Sequence, residues 1–258
     1  MDLELQNKNV LITGGSKGIG LACAAAFLAE GSNVAITSRS EANLVNARST
    51  LKSVFTIAAD LVDANAARTV VDKVEQELGQ IDILVNSAGA AQRTPPDDLT
   101  PAAWRAAMDA KYFTYINVID PVVKRMAARG RGVIVNIIGQ GGKVAVAPHL
   151  PGGAANAALM LVTVGLANVY AGKGVRLVGI NPGLTHSDRV GQALKVDAKM
   201  RGISEAEVMK QNVDRIPFGR LADPEEIANV AVFAASARAS YLTGVLITMD
   251  GAGSPIVV

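Results

Sequence analysis

The stretch NVLITGGSKGIGLACAAAFLAEG, residues 9–31, decides the fold. Five residues, rich in apolar side chains, read as a buried strand. A glycine-rich turn, TGGSKGIG, follows, and an apolar, alanine-rich run then reads as a helix. Gly14, Gly18 and Gly20 let the backbone turn tightly and approach a pyrophosphate. The helix N-terminus behind them offers free N–H groups and the positive end of a dipole. A glycine fingerprint alone is weak evidence, but here it lies in the strand–turn–helix setting that the mechanism requires.

Working outward, short Val- and Ile-rich runs alternate with longer helical patterns. Strands are expected at 33–38, 54–60, 81–88, 132–138, 175–181 and 245–250. Helices are expected at 18–30, 41–51, 63–78, 101–129, 152–171 and 224–235. The strands are apolar on both faces, as a covered parallel sheet demands. The order implies right-handed crossovers and a Rossmann-type α/β fold: a doubly wound, seven-stranded parallel sheet with helices on both faces. Thr100 before Pro101, and Asp223 before Pro224 with Glu226 third, mark helix starts. The 258 residues suit one domain, 1–258. Its irregular stretch, 185–220, suits either a substrate lid or two short surface helices.

Half of the residues are hydrophobic and 19% are charged, so a filled core is expected. The net charge of +2 is scattered, which argues against a nucleic-acid or membrane surface. The lone Cys23 sits in an apolar run and reads as a buried thiol. No disulfide framework is possible, and no secretory signal is visible, so a cytoplasmic setting is expected. No uninterrupted apolar run reaches the length of a membrane span.

Candidate cofactor contacts lie at the strand ends. In the first turn they are Thr13, Gly14, Ser16, Lys17, Gly18, Ile19 and Gly20. An acidic residue after the second strand would bind the ribose 2′-hydroxyl of NAD. The chain has Ser38 and Arg39 there, with Lys17 nearby, so NADP is favoured over NAD. Asp60, followed by Leu61, suits an adenine amino group or a helix cap. Asn86, Ala88 and Gly89 let backbone approach a ribose where the fourth strand ends.

These motifs together resemble the short-chain dehydrogenase/reductase family. TGGSKGIG, AAD-L, NSAG, IVNI, INPG, IPFGRLADPEEIANVAVFAAS and YLTGVLITMDG follow its pattern in order over nearly the whole chain. The resemblance assigns Thr13, Gly14, Gly18, Gly20, Asp60, Asn86, Gly89 and Pro182 to the cofactor site, and Gly183 and Thr185 follow Pro182. Ser187 stands where the family usually has a threonine near the carboxamide. The family's catalytic serine, tyrosine, lysine and asparagine fall on Gly139, Gly152, Asn156 and Lys111. All four are replaced, and no Tyr-x-x-x-Lys pair occurs in the chain. Asn156 can hydrogen-bond a ribose but carries no charge to tune a neighbour.

Substitute chemistry is sought nearby. Gly139, Gly152 and Gly153 imply a wider, more apolar cavity. The turn GQGG, residues 139–142, offers backbone N–H groups as an oxyanion nest. His149, His186, Lys111 and Gln140 are the candidate catalytic groups, the histidines as acids or bases near neutral pH. Asp188 and Arg189 read as a salt bridge within the lid. No metal-ligand spacing is present, so no metal is expected. Three functions stay open: an NADP(H)-binding oxidoreductase working on a small, bulky or apolar carbonyl or alcohol by a non-standard route; a non-redox hydrolase, lyase, isomerase or dehydratase on the same scaffold, with the nucleotide structural or lost; and a non-catalytic subunit. The resemblance also implies a homotetramer or homodimer. Helices 101–129 and 152–171 would form one face and the end LTGVLITMDGAGSPIVV a second, and a hetero-oligomer with a paralogue fits the third function.

Overall fold

The computed structural model describes residues 1–89 and 91–256. Seven strands form one parallel sheet: β1 (Asn9–Thr13), β2 (Asn33–Ser38), β3 (Val54–Ala58), β4 (Ile83–Asn86), β5 (Gly132–Ile137), β6 (Val175–Pro182) and β7 (Val245–Met249). Their order is β3-β2-β1-β4-β5-β6-β7. The order reverses between β1 and β4, so a crevice opens at their C-terminal ends.

Alternate residues of each strand feed opposite cores. Val10, Ile12, Val34 and Ile36 pack under α1 (Gly18–Ala29), α2 (Glu41–Leu51) and α9 (Pro224–Ala235). Leu11, Ala35 and Leu84 pack under α3 (Ala64–Leu78), α5 (Thr114–Ala128) and α6 (Leu150–Ala171). This two-sided burial is why the strands lack polar alternation. Cys23 is buried in the first core, and burial pushes its thiol up to about 12. By length and composition α6 could cross a membrane, but Ala155, Leu159, Met160 and Ala167 are buried inside this fold.

A buried polar chain runs across the sheet into α6. Thr13 Oγ1 donates to Asn86 Oδ1 (3.3 Å), and Asn86 Nδ2 donates to Asn136 Oδ1 (3.0 Å). Asn136 Nδ2 donates to Thr163 Oγ1 (2.9 Å), which donates to Leu159 O (2.7 Å). Thr13, Asn86 and Asn136 are register neighbours, so the chain sets the height of α6 over the crevice.

The helix expected over 101–129 is broken. α4 (Pro101–Ala107) passes into a π-helical turn, Met108–Phe113, before α5 begins. Thr114 Oγ1 donates to Lys111 O (2.9 Å) and Ala110 O (3.3 Å), satisfying carbonyls that the register shift frees. A short 3-10 turn, Ala147–His149, precedes α6, which starts two residues before the expected Gly152. The stretch 185–220 holds two helices, α7 (Asp188–Arg201) and α8 (Glu205–Asp214).

Candidate active site

The glycine turn lies at the crevice. A Cβ at Gly14 would fall 2.7 Å from Ala88 Cα, and one at Gly89 would fall 2.0 Å from Ala110 O. Both residues have positive φ, so glycine is required twice over. Thr13 Oγ1 accepts the N–H groups of Ser87 and Ala88 (3.2 Å each) and holds that approach. Ser16 and Gly20 are buried, Ile19 is half-buried, and Gly18 opens α1. Lys17 is exposed and makes a long contact (3.5 Å) with exposed Asp188, which contributes little. Ser38 Oγ accepts from Ser40 N (3.3 Å), and exposed Arg39 has no carboxylate partner among the described residues.

Two expectations need correction here. The Asn86 side chain is buried and bonded within the sheet, so Asn86 can meet a ribose through its backbone alone. Asp60 does not cap α3: its Oδ1 accepts from Val62 N (3.1 Å), and Asp63 takes the cap with Asn65 N (2.8 Å). Leu61 is buried. Asp188 and Arg189 do not pair with each other. Asp188 meets Lys17, and Arg189 Nη2 donates to Gly89 O (3.0 Å). Pro182 ends β6, Gly183 N donates to Met249 O (2.9 Å), and Thr185 Oγ1 donates to Gly183 O (3.3 Å). Ser187, the N-cap residue of α7, has its Cβ 3.8 Å from where a Cβ on Gly18 would lie, so α7 begins beside the glycine turn.

Across the crevice β5 runs into Gly139 and the 3-10 turn Gln140–Gly142, with the start of α6 against it. The hollows expected at the glycines are filled by polar groups. A Cβ at Gly152 would lie 2.2 Å from His149 Cε1 and 2.8 Å from Ala91 Cβ. One at Gly141 would lie 2.9 Å from His149 Cδ2, so the imidazole is packed against both glycines. A Cβ at Gly139 would meet Asn156 Nδ2 at 3.2 Å, and one at Gly153 would meet Gly141 O at 2.6 Å. The nest expected at 139–142 is partly closed, because Lys143 N donates to Gln140 O (2.9 Å) and Gly142 N to Gly139 O (3.5 Å). His149 Nδ1, Asn156 Oδ1 and Gln140 Oε1 are all buried without a partner. His186 does not join this group: it is exposed, and its backbone N–H bonds to Ala222 O (2.9 Å).

Lys111 is buried. Its Nζ lies 2.8 Å from the hydroxyl of buried Tyr115 and 3.0 Å from Ile137 O, and 4.5 Å from the Tyr115 ring centroid. Tyr115 also donates to Ile137 O. Burial, and then Arg189, hold the amine well below its usual range, while burial raises the Tyr115 phenol. The folded chain therefore holds the Lys111 proton less readily than the unfolded chain, and stability gains as pH rises toward the free-lysine value. Lys111→Met should raise stability near neutral pH by about 1–3 kcal/mol, because Tyr115 still satisfies Ile137 O. The gain should shrink as pH approaches about 10, which urea titrations across that range would read. A variant less stable than the parent at neutral pH would show that the amine supports the fold.

Three basic side chains, Arg93, Arg189 and Lys111, act on His149. Arg93 donates to both Asp197 oxygens (3.0 and 2.8 Å), bridging the β4–α4 loop to α7. Burial first, then Arg93, Arg189 and Lys111, push His149 down to about 4, so its imidazole is neutral near pH 7.

A model of the short chain dehydrogenases matches residues 8–197. The chain belongs to the short-chain dehydrogenase/reductase family. It is 31% identical to a 3alpha-hydroxysteroid dehydrogenase of Mediterraneibacter gnavus, covering 98% of this chain and 99% of that protein. It is 35% identical to an acetoacetyl-CoA reductase of Shinella zoogloeoides, covering 93% and 96%. The crystal structure of L-sorbose reductase from Gluconobacter frateurii, complexed with NADPH and L-sorbose, superposes with a TM-score of 0.90 at 29% identity, each chain fully covered.

Within this family member, the groups that sequence reasoning missed are Tyr115 and Arg93, and the place of Arg189. Lys111-x-x-x-Tyr115 is a visible spacing that puts both residues on one helix face. Nothing local, however, marks Arg93 or Arg189 as neighbours of His149.

Proposed function

We propose that the protein is an NADP(H)-dependent oxidoreductase of a small carbonyl or alcohol, in which His149 does the proton work. The observation that carries this reading is the His149 ring seated in the space where a side chain at residue 152 would project. On this reading the family's serine, tyrosine, lysine and asparagine positions hold Gly139, Gly152, Asn156 and Lys111. The crevice fits the nucleotide: Gly14 and Gly89 leave backbone bare, exposed Arg39 at the end of β2 has no carboxylate partner among the described residues, and Asn156 Oδ1 is an acceptor suited to a hydroxyl.

A bound nicotinamide would supply or accept the hydride. Neutral His149 takes the alcohol proton during oxidation; in the reverse direction its imidazolium returns a proton to the carbonyl oxygen. Asn156 holds the ribose without charge. Gln140 presents its amide beside the reacting oxygen. Buried Lys111 stays out of the chemistry on this reading, since its amine faces Ile137 O and Tyr115. Exposed Trp104, Phe113 and Leu161 fit an oligomer through the α4–α5 and α6 face. The second expected face includes Val257 and Val258, which lie outside the described residues.

Calorimetric titration with NADP(H) and NAD(H) tests the cofactor. Arg39→Ala should weaken NADP(H) by roughly 10–100-fold, the loss of one charge-assisted contact, and leave NAD(H) unchanged. Equal affinities that ignore Arg39 would remove the NADP preference. Binding of neither nucleotide would remove the redox reading and direct the search to non-redox substrates.

A further inference from the structure

Two cations of the crevice are already answered. Lys17 faces Asp188, and Arg93 is held by both oxygens of Asp197. Arg189 is not. Among the described residues its guanidinium donates to a carbonyl, Gly89 O, and meets no carboxylate. Asp188, its nearest acid in sequence, turns to Lys17 instead.

Arg189 is also well placed. Gly89, which it grips, abuts the carbonyl of Ala110 in the turn that carries Lys111. Two residues on, Ala91 shares the hollow above Gly152 with the His149 ring. Thr94 N donates to Pro148 O (2.9 Å), tying this loop to the residue before His149. Arg189 is exposed by surface area, yet enough protein crowds its guanidinium for desolvation to lower its pKa. Among the described residues only Nη2 has a partner, and the guanidinium is a planar fork that matches an oxyanion.

We infer that the substrate carries an oxyanion, a carboxylate or a phosphate, which docks on Arg189 beside His149. This rests on the oxidoreductase reading and names its substrate class: an oxo acid or hydroxy acid, or a phosphorylated equivalent. The anion would complete a bidentate pair on a desolvated guanidinium. It would also offset the positive field at His149 and let the imidazole hold a proton. The charged or titratable groups facing His149 are Arg93 with its partner Asp197, Arg189, and Lys111 with Tyr115 behind it.

The test follows the imidazole of His149 by NMR in the nucleotide-free protein, with exposed His186 as internal reference. Pyruvate, acetoacetate and levulinate are each compared with their methyl esters. At least one acid should raise the His149 pKa by about one unit, and its ester should not. Arg189→Gln should abolish the difference and Arg189→Lys should keep part of it. Equal responses to acid and ester, no response to any acid, or a response that survives Arg189→Gln would overturn the proposal. A second arm titrates NADP⁺: if Arg189→Gln weakens it as strongly as the acid, the cofactor's diphosphate is the ligand of Arg189 and the proposal falls. Failure of the oxidoreductase reading looks different, because nucleotide binding would be absent while the acid response remained.

Discussion

His149→Ala is expected to lower kcat/KM by roughly 10²–10⁴-fold, the usual share of a positioned proton-transfer group, and to leave NADP(H) affinity unchanged. The affinity should hold because the glycine turn, Arg39 and Asn156 that would carry the nucleotide do not depend on the imidazole. The pH profile provides the check that a merely structural role would not meet. Burial first, and then Arg93, Arg189 and Lys111, hold His149 at about 4 against an ordinary 6.5. For alcohol oxidation, kcat/KM of the parent should therefore hold steady below pH 6.5 and fall only near 4, as the imidazole becomes protonated. That acid limb should vanish in the variant. A small loss of rate with an unchanged profile would remove His149 from the chemistry.

The second large effect concerns an attempt to restore the family's tyrosine. Gly152→Tyr should destabilise the fold by about 1–3 kcal/mol, the usual cost of overpacking a filled site. The reason is positional. Even the first side-chain carbon would fall 2.2 Å from His149 Cε1 and 2.8 Å from Ala91 Cβ. His149→Ala combined with Gly152→Tyr should recover part of that loss, with a coupling on the order of 0.5–3 kcal/mol in a urea-denaturation cycle. Additive effects would mean that tyrosine and imidazole do not compete for one space. A Gly152→Tyr protein as stable as its parent would mean the same. The two residues are thus alternative fillings of one site: a glycine that invites a tyrosine in isolation has already been answered by a histidine three residues earlier.

The elements most legible from the chain alone are those with a local cause. β1, β2 and α9 have the expected bounds, because strand periodicity, the glycine turn and the Asp223–Glu226 start signal all act within a few residues. The doubly wound parallel sheet follows from alternating β and α segments and the handedness of their crossovers, while the strand order is a finding of the structure. Where a distant contact intervened, local reading was incomplete. The single long helix broke into α4, a π-helical turn and α5, where Gly89 comes up against Ala110 O. The glycines at 139, 152 and 153 implied open, apolar space, yet Asn156, His149 and the Gly141 carbonyl occupy it.

The same division holds in the candidate site. Sequence by itself determined the parallel sheet, the crevice at its C-terminal edge, the glycine turn, the cation after β2, and the residue types at 139, 152 and 156. Periodicity, turn chemistry and chain order carry all of these. Only the tertiary structure decided the partners: His149 in the hollow over Gly152, Lys111 with Tyr115 and Ile137 O, Arg93 with Asp197, and Arg189 on Gly89 rather than on Asp188. Most of these pairs join residues far apart in the chain. A long side chain settles where distance, burial and charge balance are best met in space, and that balance exists only once the strands have brought the loops together.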